Sequence, residues 1–103
     1  MPVTYVIKFK VVPERRTVFL ELLHQVLDAM KHEPMYHAAA LHRDPGSENT
    51  FLLTETWESH EDVLNVQLLR PYREAWHAAL PEILECEREI GIWEPIKVDR
   101  RQP

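Results

Sequence analysis

Residues 3–12 read Val-Thr-Tyr-Val-Ile-Lys-Phe-Lys-Val-Val, and Pro13-Glu14 follow them. Val3, Tyr5, Ile7, Phe9 and Val11 point one way, while Thr4, Val6, Lys8 and Lys10 point the other. Alternation of this kind in β-branched and aromatic residues predicts a strand. Pro13 suits a first helical position, where its missing N–H breaks no bond. From Glu14 to about His32 the apolar residues Phe19, Leu22, Leu23, Val26, Leu27 and Met30 recur at helical spacing, which predicts one long amphipathic helix. Glu33-Pro34 should stop it, because proline disfavours the helical conformation of the residue before it.

The rest of the chain extends the same grammar. Met35–Arg43 and Thr50–Glu58 read as strands joined by the turn-rich segment Asp44-Pro45-Gly46-Ser47-Glu48-Asn49. If that six-residue turn is regular, Arg43 pairs with Thr50, Ala38 faces Glu55 and Ala40 faces Leu53. Ser59 should cap a short helix whose first turn holds Glu61 and Asp62. Pro71 should open another, with Tyr72, Ala75, Trp76, Ala79, Leu80, Ile83 and Leu84 as its apolar stripe and Pro81 kinking it or splitting off its last turn. Cys86 to about Ile96 reads as a last strand, with Arg88, Ile90, Ile92 and Glu94 on one face and Trp93 on the other. Lys97–Pro103 reads as a tail.

The order is β-α-β-β-α-β, a ferredoxin-like α+β arrangement with an antiparallel sheet. It forms a single domain over residues 1–103, with its core at about 3–96. Helices cover one face of such a sheet. The other face would carry Val6, Leu52 and Ala38 or Ala39, which calls for a second cover. A second copy of the same sheet is the economical one, so a homodimer through the sheet faces is expected.

Composition removes several classes. The chain has 103 residues, 12 Lys plus Arg against 17 Asp plus Glu, and a net charge of −5. An acidic balance argues against nucleic-acid binding, which needs a positive surface. No apolar run reaches the ~20 residues of a membrane span, and no signal-peptide pattern opens the chain, so no membrane partner and a cytoplasmic location are expected. Only two glycines are present, too few for a phosphate-cradling loop. One cysteine, Cys86, allows no disulfide within the chain and is expected to be a buried, inert thiol. The six histidines show no metal-ligand spacing. His37 and His42 lie five apart on one strand, His24 and His32 two helical turns apart, and His60 at a helix start open to solvent.

Glu33-Pro34, the run Phe51-Leu52-Leu53-Thr54-Glu55-Thr56-Trp57-Glu58-Ser59-His60-Glu61 and Pro71-Tyr72 together resemble the antibiotic-biosynthesis-monooxygenase (ABM) domain. The resemblance covers about Val3 to Ile96. It implies a ferredoxin-like protomer that pairs sheet to sheet into a dimeric α+β barrel. It also implies a monooxygenase that needs neither metal nor other cofactor and acts on a small phenolic, quinol or polyketide-like molecule. The sequence departs from the family pattern in two places. Met35 stands where a glycine usually follows Glu-Pro. Val66 or Gln67 stands where many members carry a histidine. Haem-degrading relatives hold iron through a histidine on the last helix. His77 falls one residue off that place and the asparagine those enzymes use is absent, so no haem is expected.

Glu55 and Gln67 are the candidate catalytic residues. Glu55 lies mid-strand between Leu53 and Trp57 on its own face, and a carboxylate in apolar surroundings is expected to hold its proton more tightly and so to exchange it near neutral pH. It would hold or deprotonate a substrate hydroxyl, while Gln67 would orient a substrate oxygen or dioxygen. Glu55 could equally be structural, bonded to a backbone N–H or paired with Arg70, Arg73 or Lys8. Phe51, Trp57, Tyr72 and Trp76 could wall a pocket for a flat ring, or could be plain core. A non-enzymatic module that binds a small ligand on the same dimeric barrel is the competing reading.

Overall fold

The structure is a computed structural model that describes residues 1–102. Strand β1 spans Val3–Lys10, helix α1 Arg16–Met30, strands β2 and β3 Tyr36–Arg43 and Thr50–Trp57, helices α2 and α3 His60–Asn65 and Glu74–Ile83, and strand β4 Glu89–Trp93. Short 3₁₀ turns at Pro13–Arg15, Gln67–Leu69 and Pro71–Arg73 link them. The sheet order is β2-β3-β1-β4 with every neighbour antiparallel, which is the ferredoxin-like topology expected from the element order. None of the described helices is long and apolar enough to cross a membrane.

The two prolines enter their helices as their chemistry dictates. Pro13 and Pro71 each open a 3₁₀ turn that runs on into α1 or α3. Ser59 caps α2: its hydroxyl accepts the Asp62 N–H at 3.1 Å. Helix α3 continues through Pro81 to Ile83, where the chain turns extended at Leu84. That turn is tied to the end of β1, since the Val12 N–H donates to the Ile83 carbonyl and the Glu85 N–H to the Lys10 carbonyl, each at 2.8 Å.

Four local expectations are corrected. The β2–β3 hairpin pairs Arg43 with Phe51, Ala39 with Glu55 and Leu41 with Leu53, one residue away from the regular six-residue turn. The turn itself takes up Thr50. The Asp44 N–H bonds the Thr50 carbonyl at 2.9 Å, Asp44 Oδ1 accepts the Gly46 N–H at 2.7 Å, and the Ser47 and Thr50 hydroxyls meet at 3.1 Å. A bulge between Tyr36 and Ala38 then lets the far end of β2 regain its place. Along α3, Ala75 is exposed and Arg73, not an apolar residue, begins the buried row completed by Trp76, Leu80 and Ile83. Strand β4 is shorter than residues 86–96. Cys86 precedes it and is exposed rather than buried.

The core lies between α1, α3 and the helix-side face of the sheet. Phe9, Phe19, Phe51 and Trp76 form its aromatic centre, with centroid separations of 5.0–5.7 Å. Offset and edge-to-face rings at such distances add to the gain from burial alone.

Candidate active site

At the other end of the same sheet face the packing opens. A cavity of about 220 Å³ lies between α2, the 67–69 turn and α3 on one side and β1, β3 and β4 on the other. Tyr5, Ile7 and Phe9 of β1, Leu53 and Glu55 of β3, and Ile90 and Ile92 of β4 form its floor. His60, Val63, Leu64, Leu68, Arg73, Trp76, His77 and Arg88 form its walls. Ligand pockets usually run about 300–1,000 Å³, so this one suits a small molecule. His77 and Arg88 also border an adjoining hollow of about 410 Å³ beyond the end of α3.

The floor carries one carboxylate. Glu55 is only 7% exposed, and its Oε1 accepts the Trp57 indole N–H at 3.0 Å. Residues two apart on a strand share a face, which is why the indole and the carboxylate meet. Tyr5 lies directly across the ladder from Glu55. Its hydroxyl reaches His60 Nδ1 at 2.7 Å. Burial pushes the Tyr5 phenol above its ordinary value, and the Glu55 carboxylate beside it adds to that push. Tyr5 therefore keeps its proton and can donate it to a His60 protonated on Nε2.

The walls carry the opposite charge. Arg73 is 5% exposed, with its guanidinium carbon 5.8 Å from the Trp57 ring centre and 5.9 Å from that of Tyr72. Its Nε and Nη2 are closed off from solvent and lack an aligned acceptor, as does the Tyr72 hydroxyl. Burial raises the Tyr72 phenol, with the Arg73 cation pulling the other way. His77 is pushed below its ordinary 6.5, first by burial and then by the Arg73 and Arg88 cations. Among the described residues no cluster of three or more His, Cys, Asp or Glu side chains is placed to hold a metal ion.

Of the residues singled out from sequence, Glu55 and Trp76 meet at this cavity. Trp57 touches it indirectly, through its bond to Glu55. Phe51 packs on Phe19 in the core. Tyr72 lies behind Arg73, outside the lining. Gln67 is 1% exposed, donates to Asp62 Oδ2 at 2.9 Å and is not part of the lining. Arg70, one of the partners considered for Glu55, pairs instead with Glu33 at 2.8 Å. Tyr5, His60, Arg73 and His77 were not anticipated as a group, and His60 is drawn in from the solvent-facing place expected of it. One of the four left a trace: Arg73 falls three before Trp76 and seven before Leu80, on the apolar row of α3.

Residues 2–79 match the family described as "Antibiotic biosynthesis monooxygenase". A protein of Pestalotiopsis microspora named "Putative monooxygenase GME11364" is 32% identical over 88 residues, covering 84% of this chain and 73% of that protein. The fold is shared with Rv0793 from Mycobacterium tuberculosis, at a TM-score of 0.86 and 18% identity over 97% of this chain and 100% of that one. It is also shared with SnoaB, described as a cofactor-independent oxygenase from Streptomyces nogalater, at a TM-score of 0.76 and 20% identity over 94% and 95% of the two chains. The family match, reaching from before β1 into α3, together with the Pestalotiopsis relative, shows that this chain belongs to the antibiotic biosynthesis monooxygenase family.

Proposed function

We propose that the protein is a cofactor-independent monooxygenase that oxidises a small phenol or quinol in the cavity above Glu55. The observation that carries this reading is a nearly buried carboxylate on the floor of an otherwise mostly apolar hollow. Glu55 takes the proton of the substrate hydroxyl and returns it to the peroxide that forms, so that it leaves in the water released. The phenolate delivers its electrons from a ring carbon to dioxygen. A C–O bond forms, and loss of water from the hydroperoxide leaves a quinone carbonyl. One oxygen atom stays in the product, the other leaves as water, and the substrate supplies all the electrons. Family membership and the description of SnoaB support the reaction class. Gln67, bonded to Asp62 away from the lining, has no part in it.

The same reading includes a dimer. The sheet face away from the helices presents Val6, Leu52, Ala38, Ala40 and Trp93 among Thr4, Thr54 and Thr56, and no described element covers it. Pairing of two such faces should bury more than ~1,200 Å², and sedimentation at ten micromolar checks it: a folded monomer there removes the barrel.

The test of the chemistry is oxygen uptake with a panel of hydroquinones and naphthols. Wild-type protein should consume dioxygen and place one labelled oxygen atom in the product. Glu55→Gln should lower turnover by ~10²–10⁴-fold, the usual worth of a positioned general base. A wild type inert across the panel, or a Glu55→Gln variant as fast as wild type, defeats the proposal. Ligand binding without oxygen uptake would leave the dimeric binding module in its place.

A further inference from the structure

The cavity's charges do not balance. Two arginines, Arg73 and Arg88, face one carboxylate, Glu55, and only Arg88 also borders the adjoining hollow that Glu85 and Glu87 line. The protein as a whole carries −5, so a local surplus of positive charge runs against its composition. The ion pairs among the described residues are made by Arg16, Lys31, His37, Arg70 and Lys97, and neither cavity arginine takes part in one. For half-buried Arg88 this is unremarkable, since water solvates its head. For Arg73 it is not. A cation removed from water without a counter-charge is costly, and buried charges are normally paired. The faces of Trp57 and Tyr72 offset only part of that cost. Two of its N–H-bearing nitrogens also go without an aligned acceptor, the neutral Tyr72 hydroxyl lying close but out of line. His77, which stands with them on the wall, does not add to the surplus, because burial and the two arginines favour its neutral form.

We infer that the missing counter-charge is the ligand's: the cavity takes an aromatic molecule bearing a carboxylate, seated against Arg73 and Arg88, with its hydroxyl toward Glu55. This deepens the proposed monooxygenase reading by naming the substrate class, and it rests on that reading for the placement of the hydroxyl. A planar guanidinium matches a carboxylate in shape as well as in charge. The acid group at the wall would also hold the ring in one orientation, so that a single ring carbon is presented to dioxygen. Neutral quinols would enter but would bind weakly and without a fixed direction.

The experiment compares 2-naphthoate with 2-naphthamide, which have nearly the same shape and lack a ring hydroxyl, by titration calorimetry. Wild-type protein should bind the acid ~10- to 100-fold more tightly than the amide, the range expected of a hydrogen bond to a charged group. Arg73→Met should cut that preference to the few-fold that Arg88 alone supplies, and should not lower the urea midpoint, since it removes an unpaired buried charge. Arg73→Lys, which keeps the charge but loses the planar head, should lose most of the preference, and it decides the matter if Arg73→Met fails to fold. Equal binding of acid and amide by wild type, no binding of either at millimolar concentration, or a preference that survives both substitutions undiminished would overturn the inference. Oxygen uptake separates this failure from that of the reaction. A protein that prefers the acid but oxidises no hydroxylated acid keeps its anion site and loses the monooxygenase. One that oxidises neutral quinols without an acid preference keeps the reaction and loses the anion site.

Discussion

Two ends of one sheet face are built on opposite terms. Under α1 and the middle of α3, Phe9, Phe19, Phe51 and Trp76 interlock, and the Trp76 indole N–H is the one polar group among their side chains. Under α2, the same strands carry Tyr5 and Glu55, the helices add His60, Arg73 and His77, and a hollow remains between them. The first arrangement is what stability favours, because apolar burial contributes and nothing is left unpaired. The second is what stability disfavours: a void, a carboxylate and an unpaired guanidinium in one place. A chain of this length has little margin for such a region, so its presence marks where the sequence serves chemistry. Phe9 and Trp76 belong to both ends, and there the packed region becomes the wall of the hollow.

The comparison breaks most readily at the packed end. Phe19→Ala should cost ~3–5 kcal/mol, read as a lower urea midpoint, while the oxidation rate per folded molecule stays within a factor of two to three. A rate that falls with stability would mean that the two ends are not separable. Gln67→His sharpens the boundary of the hollow. Because Gln67 is packed against Asp62 outside the lining, the substitution should cost ~1–3 kcal/mol through overpacking and the lost bond, with no gain in turnover. A faster enzyme would place this position at the reacting centre after all.

The smallest effect is one of pH. His77 is pushed down by burial and by Arg73 and Arg88, so the unfolded chain takes up a proton there at a higher pH than the folded one does. Stability from this residue is complete above the unfolded value of 6.5 and is lost as pH falls from there through the folded value. Urea midpoints between pH 7.5 and 5.5 should therefore fall less for His77→Gln than for wild type. Identical pH profiles would show that the histidine is not held in the cavity wall.

The elements were legible because each has its own period. Alternation marked β1, the Phe19-to-Met30 stripe marked α1, and the prolines and Ser59 marked where helices begin. Glu55 could be found as a charged residue interrupting an apolar strand face. The hairpin register could not be read, because it depends on Asp44, Ser47 and Thr50 satisfying one another inside the turn. Nor could the Tyr5–His60 bond, which joins residues 55 apart and exists only because the capped first turn of α2 lands over β1. Arg73 was hidden for a different reason: one arginine on an apolar helical row looks like the row's edge until its neighbours on two other elements are known.

The three tryptophans sit in three distinct optical environments. Trp57 is 0% exposed, with its indole N–H bound to a carboxylate and a cation over its ring. Trp76 is a wall of the cavity, and Trp93 is 63% exposed on the open sheet face. The molecule thus carries built-in, spatially separate fluorophores. Quenching of Trp76 would report an aromatic guest, a blue shift of Trp93 would report a covered sheet, and the Trp57 signal would follow the packing around Glu55 and Arg73, each without a label attached.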